Sequence, residues 1–284
     1  MKRLFLLISI TIAALFSSYD LKAEAPERQG WEANFPLYGD VESVFMTKYE
    51  LEDKFGEVVR GDIMYCFKFY FNDAGDVIEK ATYNSDGSLY GKEIYKYDSS
   101  GNKIEYAWYN SDGSLREKEI YKYDSSGNKI EKAYYHSDGI LGSKYIYKYD
   151  SRGNMIEQAD YDSDGSLYGK GIYKYDSSGN MIEIAFYYLG SSLFGKAIYK
   201  YDSSGNKIEH ANYNSDGSLD SKGIYKYDSS GNMIEVAYYR SNGSLSHKYI
   251  YKYDSSGNKI EEAEYRGEAL IPRSLTVYEI TYSN

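Results

Sequence analysis

The stretch YKYDSSGNKIE, starting at Tyr95, returns almost unchanged six more times along the chain. Its second tyrosine recurs as Tyr97, Tyr123, Tyr149, Tyr175, Tyr201, Tyr227 and Tyr253, always 26 residues apart. A looser copy begins at Phe71, so eight units fill residues 71–265. A fixed period of this size calls for a repeat architecture, in which each unit buries its face against its neighbours. Residues 26–70 read as an irregular N-terminal lead-in or cap, and residues 266–284 as a C-terminal closing strand.

Each unit carries two turn signals about half a period apart. One is DSSGN at Asp98–Asn102; the other is NSDGS at Asn110–Ser114 and its variants. Asp or Asn, two small polar residues and then Gly suit a type I turn closed by a left-handed glycine, the three-residue hairpin loop. Runs of Tyr, Ile and Lys of strand length lie between the turns, with no helical spacing. The expected fold is all-β: an antiparallel array of β-hairpins, coiled or spiralling as a single meander sheet with a Tyr-rich packed face.

Such a loop pairs Tyr97 with Lys103, Tyr95 with Glu105 and, at the second turn, Tyr109 with Leu115. Period-two alternation then puts Leu89, Tyr95, Tyr97, Glu105, Ala107 and Tyr109 on the packed face. Lys92, Ile94, Lys96, Ile104 and positions 106 and 108 take the open face. A four-residue loop would instead oppose Lys96 and Glu105. The pairing advances 24 residues per hairpin against a period of 26. That slip of one residue per strand tilts strands by roughly 35–45°, as in barrels.

The core YKYDSSGN resembles the YD repeats of RHS-like proteins, carried here by Tyr95, Tyr97, Asp98, Gly101 and their equivalents. The resemblance covers residues 71–265 and implies hairpins wound into a spiral shell. The period is longer than is usual in that family, and Asn102 stands where Arg is common. No toxin domain is expected after the last repeat, so the resemblance bears on architecture.

Lys2 and Arg3, the apolar run Leu4–Phe16 and Ala23-Glu24-Ala25 have the layout of a secretory signal peptide over residues 1–25. Export to the periplasm, the cell surface or the medium follows, with no membrane span in the mature chain. A net charge of −10 disfavours nucleic acid as a partner. The single cysteine, Cys66, allows no internal disulfide.

His136, His210 and His247 fall at unrelated positions of the repeat, so no metal site is expected. The Asp-rich turns lack the alternating ligands of a calcium loop. Glu79, Glu105, Glu131 and their successors sit in equivalent settings, whereas glycosidase chemistry needs two carboxylates in unlike ones. No enzyme activity and no cofactor are expected. Of 37 tyrosines, most fall in three ladders, and a tyrosine ring suits sugars as well as sheet packing. The expected role is a scaffold or protein-interaction module, with glycan binding as the alternative. Trp108, Tyr134, Tyr168, Phe186, Phe194 and Tyr238 are the candidate ligand contacts.

Overall fold

The computed structural model describes Trp31 and residues 37–55, 57–189, 192–269 and 271–283. Residues 1–25, read from the sequence as a signal peptide, lie outside the described residues. Two long strands come first, β1 (Val41–Lys54) and β2 (Glu57–Phe71), from the segment read as a lead-in. Next come β3 (Val77–Tyr83), β4 (Leu89–Tyr97), β5 (Lys103–Asn110), β6 (Leu115–Tyr123), β7 (Lys129–His136) and β8 (Leu141–Tyr149). They are followed by β9 (Met155–Asp162), β10 (Leu167–Tyr175), β11 (Met181–Tyr188), β12 (Ser192–Tyr201) and β13 (Lys207–Asn214). The last five are β14 (Leu219–Tyr227), β15 (Met233–Arg240), β16 (Leu245–Tyr253), β17 (Lys259–Arg266) and β18 (Ser274–Tyr282).

All pairings are antiparallel, each strand pairs with its neighbours in sequence, and β1 also pairs with β18. The expected all-β meander is therefore present, and it closes into an eighteen-stranded barrel rather than an open spiral. Closure removes the unpaired edges that a spiral would leave. Tyr95 pairs with Tyr106 and Tyr106 with Glu119, so the register advances 24 residues per hairpin. A ring of this strand number is wide enough to leave an aqueous interior instead of a packed one.

The turns follow their composition. Asp98 N–H donates to the Asn102 carbonyl, Gly101 N–H donates to the Asp98 carbonyl, and the Asp98 carboxylate accepts from Ser100 and Asn102. Gly101 and Gly153 have φ of 83° and 84°, the left-handed region that a side chain resists.

The face assignment needs correction. Tyr97 does oppose Lys103, and Tyr109 opposes Leu115, but each turn is followed by a bulge. After Ile104, Lys96 pairs with Glu105, Tyr95 with Tyr106 and Glu93 with Trp108. One unpaired residue exchanges the two faces of everything beyond it. Glu105, Ala107 and Tyr109 thus share a face with Lys92, Ile94 and Lys96. Positions 106 and 108 join Tyr95 and Tyr97. The bulge lets Lys96 and Glu105 meet at 2.7 Å, and Lys118 reaches the same carboxylate at 3.7 Å.

Exposure identifies which face is concave, because a closed sheet crowds side chains inside and spreads them outside. The Lys96-type side chains are 61–64% exposed, whereas Lys80 and Lys132 on the other face are only 23–24% exposed. The face with Tyr95, Tyr97 and positions 106 and 108 is the inner wall. A hydrophobic cluster of Leu37, Val41, Val44, Phe69, Val77 and Tyr278 marks the seam where the first and last strands meet. Trp31 packs edge-on against Phe69 and Phe71 there.

Candidate functional site: the inner wall

Two tyrosine ladders build the constant part of the wall. The Tyr97-type hydroxyls donate to the carbonyl twenty residues earlier: Tyr97 to Val77 at 2.6 Å, Tyr123 to Lys103 and Tyr149 to Lys129 at 2.7 Å. Tyr175, Tyr201, Tyr227 and Tyr253 repeat this bond. Each bond joins one hairpin to the preceding one at the first-turn rim. The Tyr95-type rings form a second ladder, of which Tyr121, Tyr147 and Tyr225 are buried. Lys103, Lys129 and Lys207 lie between successive rings, with the Lys129 ammonium 4.8 Å from the Tyr147 centroid. Burial holds the Lys103, Lys129 and Lys207 pKa values below the ordinary lysine range, and raises those of the tyrosines.

The rest of the wall changes around the ring. On β3–β7, Lys80 pairs with Glu93 at 2.8 Å and Lys132 with Glu119 at 3.0 Å. Tyr95 donates to Glu93, Tyr121 to Glu119, and Tyr134 to Glu117 at 3.1 Å. Across β10–β12 the wall instead turns small and apolar, with Phe186 paired to Gly171 on one side and Gly195 on the other. A Cβ at Gly195 would stand 2.7 Å from the Tyr213 carbonyl oxygen, so only glycine fits there. Farther round, Gly223 makes room for the His210 ring, whose Nδ1 is 2.8 Å from the Tyr225 hydroxyl.

That histidine gives the barrel an acid-sensitive element. Burial, and then the positive charge of Lys207, lower the His210 pKa below the ordinary 6.5. The ring faces Tyr199, Tyr225 and Tyr238. A histidine depressed in the fold takes up its proton later than the unfolded chain does. Its contribution to stability is therefore present above about pH 6.5 and is lost as the pH falls below it. The denaturation midpoint should drop between about pH 7.5 and 5.5, and His210→Gln should remove part of that drop. An identical pH slope in the variant would count against the assignment.

The residues singled out from sequence do not form one site. Trp108, Tyr134, Phe186 and Tyr238 all stand on the inner wall, and Tyr168 and Phe194 occupy bulge positions at the second-turn rim. Trp108 stacks under the Arg116 guanidinium at 4.0 Å, and Arg116 also donates to the Tyr90 hydroxyl. Tyr134 meets His136 edge-on at 5.2 Å, while Tyr238 contacts His210 and Tyr249. Only Phe186 and Phe194 come together, in a cleft also lined by Tyr188, Asn212, Asn214 and Asp220. Tyr168 stacks edge-on with Tyr188 at 5.1 Å beside it. Tyr188 and the two asparagines were missed. The available signal was the turn itself, since YLGSS at 188–192 replaces NSDGS in this unit alone.

A family described as "Protein of unknown function (DUF2963)" matches residues 219–265. No protein of curated function matches the chain in sequence. Among solved structures, a porin-like protein from Bacteroides uniformis is similar at 9% identity and a TM-score of 0.45. The match covers 85% of this chain and 98% of that one. TcdB2-TccC3 without its hypervariable C-terminal region is similar at 14% identity and a TM-score of 0.33, over 83% of this chain and 15% of that one. The Photorhabdus luminescens Tc holotoxin pore is similar at 12% identity and a TM-score of 0.28, over 77% of this chain and 15% of that one.

Proposed function

We propose that the chain is an exported, non-enzymatic β-repeat barrel that acts as a binding scaffold through its inner wall. One observation carries this reading: variation between units is confined to one face. Outward positions hold the same Lys, Ile, Glu, Ala and Tyr in nearly every unit. Inward position 106 becomes Lys132, Gln158, Ile184, His210, Val236 and Glu262, and position 108 varies as widely. A repeat protein that needed its inner wall only for packing would repeat it too; a wall diversified strand by strand suits recognition.

The outer face supports a barrel standing in water. Lys118, Lys170 and Lys222, near the middle of their strands, each pair outward with a Glu at 2.8–3.7 Å, where a lipid-facing barrel carries an apolar band. The signal-peptide layout of residues 1–25 supports export, and the YKYDSSGN brick supports kinship in architecture with YD-repeat shells. The partner is a protein or a surface glycan.

The test compares two variants of residues 26–284 for binding to whole cells and cell-wall fractions. One replaces Trp108, Tyr134, Phe186 and Tyr238 by Ser on the inner wall. The other replaces their outward neighbours Tyr109, Tyr135, Tyr187 and Tyr239 by Leu. Binding should fall at least about tenfold in the first and stay within about twofold in the second. The reverse pattern would overturn the reading.

A further inference from the structure

The hairpin of β11 and β12 departs from every other unit in sequence, exposure and backbone. Its turn carries Tyr188 and Leu189 where the other second turns place a polar residue and then serine, as at Asn110-Ser111 and Asn214-Ser215. Leu189 adopts φ of 44°, a left-handed conformation unusual for a side chain of that size. Phe194 is 73% exposed, and Tyr168, Phe186, Tyr188, Leu189 and Leu193 are exposed with it. Large apolar side chains gathered at one rim mark an interaction site, because scattered ones are the rule on a soluble surface.

From this arrangement we infer that the cleft between Phe186, Tyr188 and Phe194 binds a neutral oligosaccharide. The inference rests on the inner wall being the binding face and names the ligand class for one part of it. Phe186 stands between two glycines, Gly171 and Gly195; the Tyr173 ring lies over Gly171, whereas Gly195 meets only backbone of Tyr213, so the flank on that side is open. A ring open on one flank offers a flat apolar surface to the C–H face of a pyranose. The polar lining supplies the complementary groups. Asn212 donates its amide to Ser221 at 3.0 Å and Asn214 donates to Ser218 at 3.0 Å, which orients both side chains. Their amide oxygens and the Asp220 carboxylate serve as acceptors for sugar hydroxyls.

Aromatic rings beside fixed amides and a carboxylate are the combination that reads a sugar, which is apolar on its ring faces and polar at its rim. A purely apolar partner would leave Asn212, Asn214 and Asp220 desolvated without replacement bonds. Lys196 in the lining balances Asp220, and it is the net charge of −10 that disfavours acidic glycans.

The test uses residues 26–284 with cellohexaose, mannohexaose and chitohexaose as probes and hyaluronan as the acidic control. Binding is read by calorimetry and by saturation transfer from aromatic protons to pyranose ring protons. At least one neutral probe should bind. Phe186→Ala and Phe194→Ala should each weaken it by about tenfold or more, with unchanged thermal midpoints. Tyr109→Leu, on the outer face, should leave it within about twofold. If a probe binds and Trp108→Ala alone weakens it, the cleft assignment fails while the inner-wall reading stands. If none of the neutral probes binds, the saccharide inference fails, and binding to cells still decides the wider reading.

Discussion

Tyr147→Ala is expected to lower the unfolding free energy by about 3–5 kcal/mol, the usual cost of deleting a fully packed aromatic ring. Tyr147 is 7% exposed although it faces the interior of a barrel too wide to be filled. Part of its cover comes from the wall itself: the Lys129 ammonium lies over the ring, 4.8 Å from its centroid. Removing the ring takes away a packed apolar surface and leaves the Lys129 charge, whose pKa is already lowered by burial, without the nearer of its two aromatic partners. Tyr168→Ala removes the same atoms from a rim position that is 48% exposed, and should cost under about 1 kcal/mol. Urea denaturation of the two variants checks this. Equal losses would mean that the inner ladder is not packed.

Much of this architecture is legible from residues alone, and what is not has a physical cause. Turn chemistry is local: Asp98, Gly101 and Asn102 specify their own hydrogen bonds, so hairpins and their spacing follow from the sequence. The slip of two residues per hairpin survives as well, because it depends only on the sum of the two turns. The bulge at Ile104 does not announce itself. Ile104 and Glu105 read as ordinary alternating strand residues, and the gain that favours the bulge, the pairing of Glu105 with Lys96 and Lys118, lies on adjacent strands. Two faces were exchanged as a result. Closure is likewise invisible locally, since it depends on β1 and β18, which lie outside the repeat. For the candidate site, aromatic positions could be chosen by type, but which of them share a cleft depends on the two glycines beside Phe186. Phe186 and Phe194 stand out by residue type, whereas Asn212 and Asn214 of the same cleft read as ordinary strand and turn residues.

Closure also reuses one turn residue for a different purpose, and this leads to the other large expected effect. In six first turns, from Asn102 to Asn232, the asparagine amide donates back to the Asp that opens its own turn. Asn258 in the last turn keeps only the backbone bond to Asp254, and its amide turns to the seam. There it accepts from the Tyr38 N–H at 2.5 Å and donates to the Tyr38 carbonyl at 3.2 Å and the Tyr282 hydroxyl at 2.9 Å. Asn258 is 0% exposed, so its amide makes these bonds away from water. Asn258→Ala should cost about 2–4 kcal/mol, because it deletes three hydrogen bonds made by a fully buried amide at the seam. Asn128→Ala deletes the same side chain from an exposed turn and should cost under about 1 kcal/mol. The two variants should also differ in where the sheet opens. Hydrogen exchange in Asn258→Ala should quicken at the β1–β18 pairing, which the latch adjoins, and stay slow at β7–β8. Uniform quickening around the ring would mean that the barrel has no seam, and that closure is held by the strands alone.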